Sequence, residues 1–190
     1  AKAVQEIRIK GAATDEERDD MADVLAKFFK RQAASVLPKI GAGREWWDED
    51  RWNAELADDL EPHMDAIADA HGKATSAELG TKYDTEITRA YLRAMAEGRA
   101  RATNDKTREK LEDAIEDEDE DITPASVMEK REETESPMLA QSLATAVAGW
   151  ALLESVQQAE RQGYSRTVEK EWVTGVNPRE SHALMNGERG

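Results

Sequence analysis

The sequence predicts a mainly α, elongated multi-helix domain that ends in a short extended or β-like C-terminal tail. Three observations predict it. Apolar residues recur at three- and four-residue spacing along most of the chain. Hydrophobic residues make up 39% of the sequence and charged residues 35%, a balance that suits long helices with one solvated face. Beyond Gly163 the helical period fades, and "VEKEWVTGV" alternates apolar with charged side chains as a strand or extended arm does.

The elements follow in order. Thr14-Asp15-Glu16-Glu17 is a capping box, with Thr14 as N-cap and Glu17 three positions on. Met21, Val24, Leu25, Phe28, Phe29, Val36 and Leu37 then predict the inward face of a first helix, closed by Pro38 and Gly41. "GREWWDEDRW" opens the next segment and packs Trp46, Trp47 and Trp52 into seven residues. Leu56, Leu60, Met64 and Ile67 share a face behind it; Pro62 is expected to kink or split this helix and Gly72 to close it. Asp84 can cap a third helix with Ile87, Ala90, Tyr91, Ala94 and Met95 as its stripe. Gly98 is a point of interruption, and Asn104 can cap a further helix that turns Leu111 and Ile115 inward.

The pattern then dissolves into "EDEDEDITP", where like charges repel and a solvated joint is expected. Thr123-Pro124 restarts a short helix with Pro at its first position, and Ser136-Pro137 repeats the signature. Leu139, Leu143, Val147, Trp150, Leu153 and Val156 form the clearest apolar stripe in the chain, closed by Gly163. The expected organisation is therefore an N-terminal helical region (1–117), an acidic linker with a short helix (118–135), and a long helix followed by a decorated tail (136–190).

Composition narrows the function classes. There is no cysteine, which removes disulfides, thiolate metal sites and a cysteine nucleophile. Net charge is -15, and residues 111–136 hold 12 of the acidic side chains against two basic ones. A field of that sign repels phosphate, so no specific nucleic-acid binding is expected. No apolar run is expected to reach the length of about 18 residues that spans a bilayer, so no membrane partner is expected either. The first residue is Ala1 rather than Met, which fits processing, trimmed numbering or a fragment of a longer chain.

Candidate sites are few. His63 and His71 lie eight residues apart on one helix face, whereas a zinc pair sits at a four-residue spacing. The acidic run lacks the central glycine of a calcium loop. The tryptophan cluster carries Arg44 and Arg51 against four carboxylates, which favours packing over base stacking. Asn177-Pro178 is a turn signal, and Arg179 beyond it can fork onto a carboxylate in the domain or on a partner. No catalytic residues, metal ligands or cofactors are expected.

The tail adds a resemblance. "KEWVTGVNPRESHALMNGE" resembles the terminal motif of phage head-morphogenesis proteins of the Mu F-like minor head protein family, as found in C-terminal extensions of actinobacteriophage portal proteins. The matching residues are Lys170, Trp172, Asn177, Pro178, Arg179, His182, Gly187 and Glu188. "WWDEDRWNAELADDL", "ATNDKTREKLEDAI" and "SLATAVAGWALLESVQQAERQG" resemble upstream landmarks of the same family in the same order. Two departures stand out: many relatives carry a second arginine before the histidine, and most continue past the terminal glycine.

The resemblance implies a virion structural and assembly protein, a portal-associated domain acting in procapsid assembly, DNA packaging or ejection. Its implied partners are portal and other capsid proteins, with a homo-oligomeric ring if the chain is fused to a portal. Its implied location is the capsid interior or portal vertex, and the host cytoplasm during assembly. The alternative is a phage-associated enzyme, nuclease or toxin-like, built around Arg179 and His182; Glu171, Glu180 and Ser181 are the nearest further groups and fit no known triad or metal spacing. The tail is expected to act as a clasp on the helix over 136–162, with Trp172 packed near Trp150.

Overall fold

The computed structural model describes residues 12–116 and 122–164. Five helices follow in order: α1 (Asp15–Gly41), α2 (Glu49–Leu79), α3 (Thr85–Glu116), α4 (Pro124–Lys130) and α5 (Ser136–Arg161), with one π-helical turn (Arg131–Glu135) between α4 and α5. No strand occurs among the described residues, and the fold is mainly α as expected. The acidic joint over 117–121 and the whole tail from 165 lie outside the described residues.

The capping chemistry is legible in full at α1. Glu17 N donates to Thr14 Oγ1 at 3.1 Å, and Thr14 N donates back to Glu17 Oε2 at 2.7 Å. Met21, Leu25, Phe28, Phe29 and Val36 are buried as their spacing predicts. They meet Trp52, Leu56, Leu60, Met64 and Ile67 of α2 in one core. Phe28 stands edge-on to Phe29 and to Trp52, with ring centroids at 5.6 and 6.1 Å.

Four local expectations are corrected. Pro62 does not split α2, which runs unbroken to Leu79. Gly72 does not close it; Gly80 does, at φ 70°. Gly72 is instead where the Tyr83 ring lies against the helix, and a β-carbon there would collide with that ring. Asn104 caps nothing, because α3 is one helix of 32 residues through Gly98 and Asn104 alike. Ser136-Pro137 does not begin a separate helix, since the chain stays helical from Pro124 to Arg161. A proline inside a helix cannot donate to, and crowds, the carbonyl four residues back. The π-turn just before Pro137 widens the helix at that place, and the Ser136 hydroxyl donates to Arg131 O at 2.9 Å.

The stripe on α3 is the largest correction. The spacing places Ile87 and Tyr91 inside, yet they are 57% and 48% exposed; Ala90 and Ala94 are exposed and Met95 is half-buried. The buried seam is Thr88, Leu92, Ala96, Ala100, Asn104, Thr107 and Leu111, while Ile115 faces outward. On α5, Leu143 and Val147 are buried as expected, Leu139, Trp150 and Val156 are half-buried, and Leu153 is 46% exposed. The fully buried positions there are mostly small: Ala140, Ala144, Ala148, Ala151, Ser155 and Ala159. Small side chains let helix backbones approach closely, so they win the interior over larger ones a quarter-turn away.

The helices alternate in direction. The second half of α1 meets the first turns of α2 at Arg31 and Glu55, and the start of α1 meets the second half of α2 at Glu17 and His71. Helix α2 lies against both α3 and α5, and α1 lies against α5 and α2. Helices α3 and α5 do not pack backbone against backbone. The helical stretch from Pro124 to Arg161 is long and apolar enough, by length and composition, to cross a membrane, which corrects the expectation that no segment qualifies. Residues 136–153 within it carry no charge, and its small-residue face is buried against α1 and α2.

Candidate functional site

The residues singled out in the tail, Lys170, Trp172, Asn177, Pro178, Arg179, His182 and Gly187, all lie outside the described residues, and so does the expected packing of Trp172 near Trp150. The described residues show what the tail departs from and what surrounds that point.

Helix α5 ends in a lock on the α2–α3 loop. Gln158 Oε1 accepts from Asp84 N at 2.6 Å, and Gln158 Nε2 donates to Asp84 O at 3.1 Å. One turn on, Gln162 Oε1 accepts from Lys82 N at 3.1 Å, and Gln162 Nε2 donates to Lys82 O at 2.6 Å. Each side-chain amide thus satisfies both backbone groups of an alternate loop residue, as a paired strand edge would. The Ser155 hydroxyl lies 3.1 Å from Gly72 O, bringing α5 onto α2 at the same end. Gly163, at φ 89°, ends the helix, and Tyr164 N donates to Ala159 O at 3.0 Å.

Two polar clusters fix the rest of the bundle. Gln32, fully buried on α1, donates to Asn104 Oδ1 at 3.1 Å, and Asn104 donates to Asn53 Oδ1 at 2.9 Å. Arg131, 2% exposed, lies over the Phe29 ring with its guanidinium carbon 5.4 Å from the centroid and donates to Glu135 Oε2 at 2.8 Å. Glu135 also accepts from Lys110 at 2.5 Å. Burial pushes the Arg131 guanidinium down, and Glu135 opposes that shift. Burial pulls the Glu135 carboxyl up, but Lys110 and Arg131 outweigh it and hold it below the usual range. Both clusters sit in the interior and hold helices in register.

The histidines are placed apart in role. His71 lies 3.0 Å from Glu17 Oε2, so the carboxylate that caps α1 also ties α1 to α2. No group of three or more metal-ligating side chains occurs among the described residues. Trp52 belongs to the core, while Trp46 and Trp47 are half-buried and, with Glu45, Glu49, Arg108 and Glu112, line a shallow depression of about 270 Å³.

The outward apolar face is the feature that sequence reasoning misplaced. Tyr91 of α3 and Trp150 of α5 stack across the gap between their helices, with centroids 4.4 Å apart and planes 13° from parallel. Asp84 pairs with Gln158 one end further on, so the two helices run antiparallel in a register that sets Ile87 level with Glu154 and Ser155, one residue from Leu153. Ile87, Tyr91 and Met95 on α3 thus line up with Leu153, Trp150 and Ala146 on α5, half-buried or exposed throughout. The signal that could have found this face is in the sequence: beside its row of large apolar residues each helix carries a second row with no charged side chain, and only one row can be innermost.

No family model, curated protein or solved structure matches this chain.

Proposed function

We propose that the chain is a structural and assembly module of a phage head, a portal-associated domain in which the acidic bundle mounts the tail motif. The observation that carries this reading is how the bundle ends. Four hydrogen bonds from Gln158 and Gln162 pin the last turns of α5 to the loop over Lys82 and Asp84, so the chain leading to Lys170, Trp172, Asn177, Pro178, Arg179, His182 and Gly187 departs from a fixed point. The likeness of that segment to the Mu F-like head-morphogenesis motif supplies the assembly role. A body of net charge -15 suits a place beside packaged DNA, where it does not adhere to phosphate. The module is non-enzymatic on this reading, and its partners are portal and other capsid proteins.

Peptide mass spectrometry on purified particles tests it. The expected result is peptides of this chain in stoichiometric amount, with any that run upstream of Ala1 showing whether it is joined to a portal-like polypeptide. Absence from particles that package DNA would overturn the reading.

A further inference from the structure

We infer that the outward face formed by Ile87 and Tyr91 of α3 with Trp150 and Leu153 of α5 is the seat of this chain's own residues 165–190, with Trp172 as the anchoring side chain. The inference rests on the face and on the reach of the chain, and it stands apart from the assembly role.

The face asks for a cover. It joins two exposed aliphatic side chains to a stacked aromatic pair, on a helix whose uncharged stretch covers residues 136–153. Exposed apolar side chains gathered on one face, rather than scattered singly, mark a site of contact. The segment that follows the last described residue, Tyr164, starts at the right end. Gly163 and the Tyr164 N–H to Ala159 O bond stop α5 and turn the chain out of its axis. Trp150 lies about 21 Å back along α5 from Tyr164, at about 1.5 Å per residue. Trp172 is eight residues beyond Tyr164, and an extended chain of that length reaches about 26 Å. The segment brings matching chemistry in Trp172, Val173, Val176, Leu184 and Met185.

Charge separates this occupant from the other two. Residues 165–190 carry four basic and four acidic side chains and are not repelled by the acidic body. A second copy would bring a net charge of -15 up to the same face. A bilayer surface would need the carboxylates of Glu86 and Glu154, flanking the face, to be desolvated.

The test is a double-mutant cycle in the full chain. Leu153→Ala and Trp172→Ala are made singly and together, and the unfolding equilibrium constant is read in urea. Direct contact predicts that the two substitutions fail to multiply by roughly tenfold, the size of a typical coupling between touching side chains. Effects that multiply within about twofold would overturn the proposal. So would a concentration-dependent dimer in sedimentation that Ile87→Asp disperses, which would assign the face to a second copy. Binding to phosphatidylcholine vesicles that Ile87→Asp abolishes would assign it to a membrane and overturn it equally. Ile87 and Leu153 are exposed in the bundle, so these substitutions leave its interior intact.

Discussion

The interior faces of α1 and α2 and those of α3 and α5 are built from different sizes of side chain. Where α1 meets α2, the core is Met21, Leu25, Phe28 and Phe29 against Trp52, Leu56, Leu60 and Met64. Along α3 and α5 the innermost row is mostly alanine, serine, threonine and asparagine, and larger apolar residues stand on the shoulders. The α1–α2 interface is held by the volume it fills; α3 and α5, which each pack on α2 and not on one another, are held there by how closely the backbones approach. That difference decides where the molecule tolerates change and where it offers a surface.

The largest effect should come from emptying the first interface. Phe28→Ala removes a fully buried ring that touches two other aromatic residues, and should cost about 3–5 kcal/mol in urea unfolding. A cost near that of a surface change would mean that the α1–α2 core collapses around the gap. Filling the second interface should hurt by the opposite route. Ala100→Leu adds volume at a position with no exposure, and should cost about 1–3 kcal/mol through overpacking. A neutral outcome would show that α2 and α3 have room to separate, and would end the close-approach account.

Acid probes the polar ties of the two interfaces. Burial raises the Glu17 carboxyl, but the hydrogen bonds from His71 and Thr14 outweigh it and lower its pKa in the folded state. Glu135 is lowered in the same way by Lys110 and Arg131. A carboxyl with a depressed folded pKa stabilises fully above its unfolded value of 4.5, and that stability fades as pH falls through the lower folded value. Urea midpoints should therefore fall as pH drops below about 4.5, and Glu135→Gln should flatten that dependence. Asp65 has the opposite sign. Burial, then the charge of Glu61, raises its folded pKa above 3.8, so its ionised form opposes folding near neutral pH and is relieved as pH falls through the folded value. One of its carboxylate oxygens is buried without a partner. Asp65→Asn should thus raise stability at pH 7 slightly, by less than about 1 kcal/mol, and a loss would mean that the charge is held by a favourable contact.

Much of the fold was legible where a single strong signal governed it. The capping box at Thr14, the short helix that opens with Pro124 at its first position, the large-residue faces of α1 and α2, and Gly163 in a left-handed turn all follow from local chemistry. The misplaced features are those where two signals competed. Asn104 has the chemistry of a cap, but Gln32 and Asn53, far away in sequence, satisfy its amide inside the bundle. Gly72 has the chemistry of a helix end, but it serves Tyr83 by lacking a side chain. Ile87 and Tyr91 have the period of a core stripe, but the neighbouring row of Thr88, Leu92, Ala96 and Ala100 takes the interior. Of the candidate site, the motif residues were legible as a pattern, while their mount was not: the Gln158 and Gln162 lock joins residues 74 and 80 apart in sequence, a distance that no local spacing encodes.

Whether the chain's own tail covers the face left outward by this division of sizes can be read from methyl-to-indole nuclear Overhauser contacts in the full-length protein. Cross-peaks are expected between the Trp172 indole and the methyl groups of Leu153 and Ile87, independent of protein concentration. If those methyl groups show no cross-peak to any residue beyond Tyr164, the tail does not sit on this face and the assignment fails.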